Sequence, residues 1–125
     1  MNYLAIFIGG GIGSLLRYAT TILFKKHSLF NLPLGTLVSN ILASFLLGIF
    51  VSYFATKHFD NKIVINFLII GICGGFSTFS TFTLENYRFI SNNQFMTMFL
   101  YMSLSIIVSL LFIYLGFIIS QFSFK

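Results

Sequence analysis

The sequence contains very little charge. Only 7% of its 125 residues are charged and just two are acidic, whereas 58% are hydrophobic and phenylalanine alone occurs 18 times. A water-soluble domain of this size could not keep so much apolar surface away from solvent. The composition therefore excludes a soluble globular protein and indicates an integral membrane protein.

Cysteine and intramembrane acids are also scarce, and each shortage argues against a class of site. The single cysteine, Cys73, cannot form an internal disulfide and argues against a metal site built from thiolates. No acidic residue lies within residues 4–24, 34–55 or 95–119, which argues against a proton-coupled transporter with an intramembrane carboxylate relay. The net charge of +5 comes from scattered basic residues that meet anionic headgroups, so it does not indicate nucleic-acid binding.

Four long apolar stretches make up most of the chain. They cover residues 4–24, 34–55, 63–82 and 95–119, and the third predicted helix continues to residue 88. Each reaches the roughly 20 residues that a helix needs to cross a hydrocarbon core of about 30 Å. The sequence therefore predicts an all-α integral membrane protein, with four transmembrane helices in a single domain over residues 1–125.

The basic residues give no preferred orientation in the membrane. Lys57, Lys62 and Lys125 lie on the side of the termini, and Lys25, Lys26 and Arg88 lie on the opposite side. Because the positive-inside rule needs an asymmetry, two interpretations stay open: one topology fixed by other features, or insertion in both orientations. Oppositely inserted copies can pair about a two-fold axis in the membrane plane, and four helices need such a partner to enclose a conducting path.

The third stretch contains glycines and hydroxyls where lipid disfavours them. Gly74 and Gly75 are followed closely by Ser77 and Thr78. A backbone group left unpaired in hydrocarbon costs several kcal/mol, so a break survives only where protein, water or an ion satisfies it. The sequence therefore predicts two half-helices that meet at a break near residues 74–78. Freed carbonyls there could bind a cation, and freed N–H groups could face an anion.

Two phenylalanines follow the break on one face of the resumed helix. Phe79 and Phe82 are three residues apart. Packing or lipid contact is the simple interpretation in so phenylalanine-rich a chain. The alternative is contact with a small anion, because the edge of an aromatic ring carries partial positive charge and offers the weak binding that conduction needs.

Polar residues also occupy the second and fourth helices. Asn40 is an amide in the middle of a span, so it must find partners, and packing and function are both open for it. Tyr101, Ser105 and Ser109 recur at four-residue steps in the fourth helix. These hydroxyls could line a polar track, or they could bond back to carbonyls of their own helix.

Charged residues near the helix ends have simple interpretations. For Arg17, anchoring and orientation are favoured over direct ion binding. Glu85 and Arg88 are spaced for an ion pair at the membrane boundary. Gly9 and Gly13 form a small-xxx-small pair that lets two helices approach closely.

Three motifs together resemble the Fluc family of fluoride channels, also called CrcB. They are Gly-Gly-Gly-Ile-Gly-Ser-Leu-Leu-Arg-Tyr at 9–18, Gly-Thr-Leu-Val-Ser-Asn at 35–40, and Gly-Gly-Phe-Ser-Thr-Phe-Ser-Thr-Phe at 74–82. The third motif is highly specific, and the resemblance extends over the whole chain. It implies an antiparallel, dual-topology homodimer with two fluoride pores.

The resemblance also implies roles for individual residues. Backbone carbonyls of Gly74 and Ser77 from both subunits would hold a structural sodium ion at the dimer centre. The anion pore would be lined by Asn40, Phe79, Phe82, Ser80, Thr81, Tyr101, Ser105 and Ser109. Arg17 and Glu85 occupy family positions and are assigned to the structure or to the pore vestibule.

The function implied by the resemblance is that of a channel rather than an enzyme. It would export fluoride passively across the cell membrane, down the electrochemical gradient, and so lower cytoplasmic fluoride. Two alternatives remain at this point. One is a small dual-topology secondary transporter coupled to protons or cations, and the other is a non-conducting membrane scaffold whose small-residue faces serve only assembly.

Overall fold

The computed structural model describes residues 1–25 and 32–123, and within these two ranges it contains helices and short connections but no strand. Four helical spans are long and apolar enough to cross a membrane: Asn2–Phe24, Leu34–Thr56, Lys62–Ser91 and Phe95–Ser123. They confirm the all-α class and the four transmembrane helices. Lys26 and Lys125, which enter the comparison of basic residues, lie outside the described residues.

The third span is broken, as its glycine-rich sequence predicts. The helices are α1 (Asn2–Phe24), α2 (Leu34–Thr56), α3 (residues 62–76), α4 (Phe79–Ser91) and α5 (Phe95–Ser123). Ser77 and Thr78 separate α3 from α4. Within α3, an α-helical turn at Lys62–Ile65 leads into a π-helical segment at Asn66–Cys73, and Gly74–Phe76 is α-helical again. Segments of π-helix are rare and often lie at functional sites.

Glycines bring α1 into contact with α3. A Cβ atom added at Gly9 would collide with the carbonyl oxygen of Phe67, and one added at Gly13 would collide with that of Ile72. The packing role predicted for Gly9 and Gly13 is therefore confirmed. Gly11, in contrast, is exposed and has open space where a side chain would lie.

The tightest pair of helices is α2 with α5, the second and fourth spans, which run in the same direction. A Cβ atom at Gly48 would collide with the carbonyl oxygen of Ile113, and one at Gly116 with that of Phe45. Next to these contacts, Phe45 and Phe112 pack edge to face with ring centroids 6.2 Å apart. The close approach fixes α2 and α5 as one unit, which holds their polar residues at constant separation.

Two short turns join the later spans. After α2, the N–H of Phe59 donates to the carbonyl of Phe54 at 3.0 Å, and His58 has a φ of 47°. After α4, the N–H of Gln94 donates to the carbonyl of Phe89 at 2.8 Å, and Asn93 has a φ of 58°. Both turns end a helix with a left-handed residue and reverse the chain into the next span.

Candidate functional site

The break in the third span lies at Ser77 and Thr78. Ser77 has φ −72° and ψ 157°, and Thr78 has φ −149° and ψ 120°, so both residues are extended. Gly74 keeps helical angles of −66° and −37°, and none of the chain's glycines has a positive φ. The region of the break was predicted correctly, but the prediction that Gly74 and Gly75 break the helix through their low helix propensity was wrong, because both remain helical. Gly75 serves packing instead: a Cβ there would press on the carbonyl oxygen of Gly10 in α1.

Side chains from α1 and α2 satisfy backbone groups that the break releases. The Asn40 Oδ1 atom accepts a hydrogen bond from the Thr78 N–H at 2.8 Å, and Asn40 Nδ2 donates to the Thr78 carbonyl at 3.3 Å. The Arg17 Nη1 atom donates to the carbonyl of Ser77 at 3.2 Å. Partners of this kind are what allow an interrupted helix to persist at membrane depth. The guanidinium of Arg17 also stands at the C-terminal end of α3, where the helix dipole favours a cation.

Thr78 caps the second half-helix. Its Oγ1 atom accepts from the N–H of Thr81 at 3.3 Å and donates to the Thr81 hydroxyl at 3.1 Å. The hydroxyl of Ser80 lies 3.5 Å from the same atom. A threonine in this position satisfies one of the free N–H groups at the start of a helix. Ser80 and Thr81 are therefore tied to the cap, and both are exposed in the single chain.

A cavity of about 390 Å³ lies beside the break, between α2, α4 and α5, and is called the inner cavity here. Its lining residues are Asn40, Ser44, Ser77, Thr78, Phe79, Phe82, Ser105, Ile106, Ser109 and Leu110. Five of the predicted pore residues come together in it: Asn40, Phe79, Phe82, Ser105 and Ser109. Ser80, Thr81 and Tyr101 do not line it. From the sequence alone, no role was assigned to Thr78. Its position directly before the resumed helix is the signal that identifies it as the cap.

A row of aromatic rings from α4 and α5 continues from the inner cavity. The ring centroids of Phe79 and Phe82 are 6.1 Å apart, and those of Phe82 and Tyr101 are 5.3 Å apart. Phe89 then packs edge to face on Tyr101 at 5.9 Å. Phe79 is 79% exposed, whereas Tyr101 is fully buried. The row therefore begins with a ring that this chain leaves uncovered and ends in its apolar core.

Glu85 does not form the expected ion pair with Arg88. Its Oε1 atom accepts from the hydroxyl of Thr36 and its Oε2 atom accepts from the hydroxyl of Tyr101, both at 2.7 Å. The carboxylate thus links α2, α4 and α5, because hydroxyls supplied by the tertiary fold are better placed than the neighbouring guanidinium. The hydroxyl of Tyr101 is used in this bond and Tyr101 does not line the inner cavity, so its place in the pore stays a prediction.

A second cavity, called the outer cavity here, has a volume of about 430 Å³. It lies at the end of α1 and the start of α2, and Glu85 is among its lining residues. Its polar lining comes from Thr21, Lys25, Thr36, Glu85 and Arg88. Two cations at this position favour the approach of anions from the aqueous side.

A third cavity of about 320 Å³ separates α2 from α3 and includes Gly74 and Ser77. None of the described residues that line it is charged, and the same part of the chain contains no cluster of histidine, cysteine or acids that could hold a metal. A cation there would depend on backbone carbonyl oxygens, which suit hard cations. The Ser77 carbonyl already accepts from Arg17, but a carbonyl oxygen has two lone pairs and can also bind a cation. The residues present therefore fit a cation bound by backbone carbonyl oxygens.

Comparison with known proteins gives a consistent result. The profile of the family described as "CrcB-like protein, Camphor Resistance (CrcB)" matches residues 4–117. A protein of Flavobacterium psychrophilum named "Fluoride-specific ion channel FluC" is 40% identical over 116 residues, covering 93% of this chain and 94% of that protein. Proteins of the same name from Hydrogenobaculum sp. and Phocaeicola vulgatus are 43% and 39% identical, and each alignment covers more than nine-tenths of both chains.

Proposed function

The chain belongs to the CrcB family, and on that premise we propose that it is a fluoride-selective ion channel. It is a multi-pass protein of the cell membrane, and it is a channel protein rather than an enzyme. Fluoride passes through it down the electrochemical gradient. An inside-negative potential drives an anion outwards by about 2.3 kcal/mol per charge for each 100 mV, so passive flow is sufficient to lower cytoplasmic fluoride.

The observation that carries this proposal is the chemistry of the inner cavity. Its wall combines the Asn40 amide, the hydroxyls of Ser105 and Ser109, and the rings of Phe79 and Phe82, and none of the described residues that line it is charged. Neutral donors and ring edges can replace the water around a small anion without holding it as firmly as a full positive charge would. A conducting site needs this balance between entry and release.

The polar groups near Phe82 indicate that fluoride passes between the outer cavity and the inner cavity beside this ring. Tyr101 contacts Phe82 and donates to Glu85, which lines the outer cavity with Lys25 and Arg88. The two cations raise the local concentration of anions at the entrance. Because both oxygens of Glu85 accept hydroxyl donors, part of its negative charge is compensated where the path approaches it.

The channel is completed by a second copy in the opposite orientation. Phe79 projects from the chain with 79% of its surface exposed, and Gly74 is also exposed. An antiparallel partner would cover both, close the open side of the inner cavity, and produce two equivalent pores about an axis in the membrane plane. The even distribution of basic residues agrees with insertion in both orientations.

Sodium is the proposed structural ion at the dimer centre. Gly74 and Ser77 offer only two carbonyl oxygens from one chain, fewer than a hard cation normally takes, so a second copy is needed to supply more. When bound, the ion would contribute positive charge close to the break. Arg17, Asn40 and Thr78 position the backbone there from within the chain.

The experiment is fluoride efflux from liposomes that contain the purified protein, followed with a fluoride electrode. Addition of a potassium ionophore should accelerate fluoride efflux strongly, because a channel moves net charge. The rate should not depend on a proton gradient, and chloride efflux under the same conditions should be absent. Exchange that requires a proton gradient would favour a secondary transporter, and an absence of flux would leave only a scaffold.

A further inference from the structure

We propose that Asn40 is a positioning residue, whose amide holds the backbone at Thr78 and thereby directs the ring of Phe79 towards the inner cavity. This inference rests on the proposed channel function. The sequence left packing and pore lining open for Asn40. The hydrogen bonds of its side chain assign it a third role, because both of its polar atoms bind the backbone of one residue.

The Asn40 amide replaces hydrogen bonds that a continuous helix would provide. Its Oδ1 atom takes the Thr78 N–H at 2.8 Å and its Nδ2 atom reaches the Thr78 carbonyl at 3.3 Å. A side-chain amide offers one acceptor and two N–H donors, and this arrangement uses the acceptor and one donor. Thr78 is therefore fixed on both sides of its own Cα atom, while one N–H of Asn40 remains for the cavity that the residue lines.

Phe79 depends on this backbone for its direction. It is the first residue of α4, directly after Thr78, and 79% of its surface is exposed. The ring contact recorded for it within the chain is with Phe82, at a centroid distance of 6.1 Å. Within its own chain the ring therefore leaves α4 in the direction that its backbone sets, and the partner copy covers it in that position. Movement at Thr78 would therefore move the ring.

The support for Asn40 comes from the most tightly packed part of the molecule. Asn40 belongs to α2, which is held against α5 by the contacts of Gly48 and Gly116. The same α5 carries Ser105 and Ser109, which also line the inner cavity. Asn40 thus connects the broken span to the α2–α5 unit, and it sets the position of Phe79 and Phe82 relative to Ser105 and Ser109.

The test separates positioning from ion contact by observing the ring itself. The full-length protein is prepared with 4-fluorophenylalanine incorporated at position 79, and its fluorine NMR spectrum is recorded in buffer free of fluoride ion. The protein that retains Asn40 should give one fluorine resonance. In Asn40→Leu, which keeps a similar size without hydrogen bonds, the resonance should shift and broaden or divide, and fluoride efflux should fall by at least about tenfold.

A matched control makes the same chemical change elsewhere in the membrane. Asn66 lies in the π-helical segment of α3, away from Thr78, and the structure records no side-chain hydrogen bond for it. Asn66→Leu should leave the resonance of residue 79 unchanged. If Asn40→Leu does not assemble, Asn40→Ser serves in its place, because the shorter hydroxyl cannot reach both backbone groups of Thr78.

Two results would overturn the proposal. An unchanged resonance with lost efflux would mean that Asn40 acts by touching the ion, and an unchanged resonance with unchanged efflux would mean that it does not hold the break. Failure of the channel function is distinguishable from both. In that case the wild-type protein carries no fluoride, while the resonance of residue 79 still responds to Asn40→Leu.

Discussion

The α2–α5 pair and the broken third span meet the same requirement of the membrane in opposite ways. In α2 and α5 the helices are continuous, so backbone groups are paired internally, and Gly48 and Gly116 let the two backbones approach closely. In the third span the helix stops at Ser77 and Thr78, and side chains from other helices pair the released groups. A region satisfied by its own backbone is a scaffold, whereas a region that depends on donated side chains can expose polar groups to an ion.

The largest expected difference between the two regions is in conduction. Phe82→Ile removes a ring from the wall of the inner cavity, and we expect fluoride efflux to fall at least about fivefold, because ring-edge contacts of about 1 kcal/mol or more are lost from the path. Phe112→Ile is the matched control, since that ring packs on Phe45 in the scaffold. The main effect of Phe112→Ile should be a lower melting temperature, with a smaller loss of fluoride efflux than in Phe82→Ile. Equal loss of fluoride efflux in both variants would contradict the distinction between a conducting region and a scaffold.

Stability, unlike conduction, should depend more on the α2–α5 pair than on the broken span. Gly116→Ala places a methyl group against the carbonyl of Phe45, and we expect it to lower the free energy of unfolding by about 1–3 kcal/mol through overpacking. Gly11→Ala adds the same methyl group on α1 where space is open, so it should be neutral or slightly stabilising. Thermal unfolding in detergent measures both. A neutral Gly116→Ala would contradict the close approach of α2 and α5.

Sodium withdrawal tests whether the break needs more than side chains from its own chain. If Gly74 and Ser77 bind sodium in the dimer, replacing sodium by a large organic cation should lower the melting temperature, because an ion at 100 times its dissociation constant adds about 2.7 kcal/mol. Potassium at equal ionic strength is the control for screening. Melting that does not respond to sodium would show that Arg17, Asn40 and Thr78 are sufficient.

The smallest effect is expected at the turns that end α2 and α4. His58 adopts a left-handed conformation with φ 47°, which costs a residue with a side chain roughly 1–2 kcal/mol, so His58→Gly should raise the melting temperature slightly. Asn93→Gly is the comparison, at φ 58°. Asparagine tolerates this conformation better, so its gain should be smaller. A larger gain at Asn93 would contradict this explanation of the two turns.

The sequence predicted the helices because lipid imposes simple rules on length and composition. Four apolar stretches gave four spans, and glycines beside hydroxyls located the break in the third. The cause of the break was not predictable in the same way. Gly74 and Gly75 have low helix propensity, yet both stay helical; at Gly75 the close contact with α1 explains why glycine is needed, whereas Gly74 has open space around it.

Contacts between spans account for the rest of what the sequence did not predict. The spacing of Glu85 and Arg88 indicates a local ion pair, but Thr36 and Tyr101 bring hydroxyls from two other helices. The partner of Asn40 is a backbone group in another span, and periodicity shows which face a residue occupies without showing what lies opposite. All the pore roles given to individual residues remain predictions, and Ser80 and Thr81 are exposed in a single chain.

The most direct measurement is the reversal potential of currents through the purified protein in a planar bilayer, with a fluoride gradient opposed by a chloride gradient. A fluoride-selective channel predicts reversal at the equilibrium potential of fluoride, at any pH difference across the bilayer. Reversal at the chloride potential, or a reversal potential that follows the pH difference, would contradict fluoride conduction through the broken span.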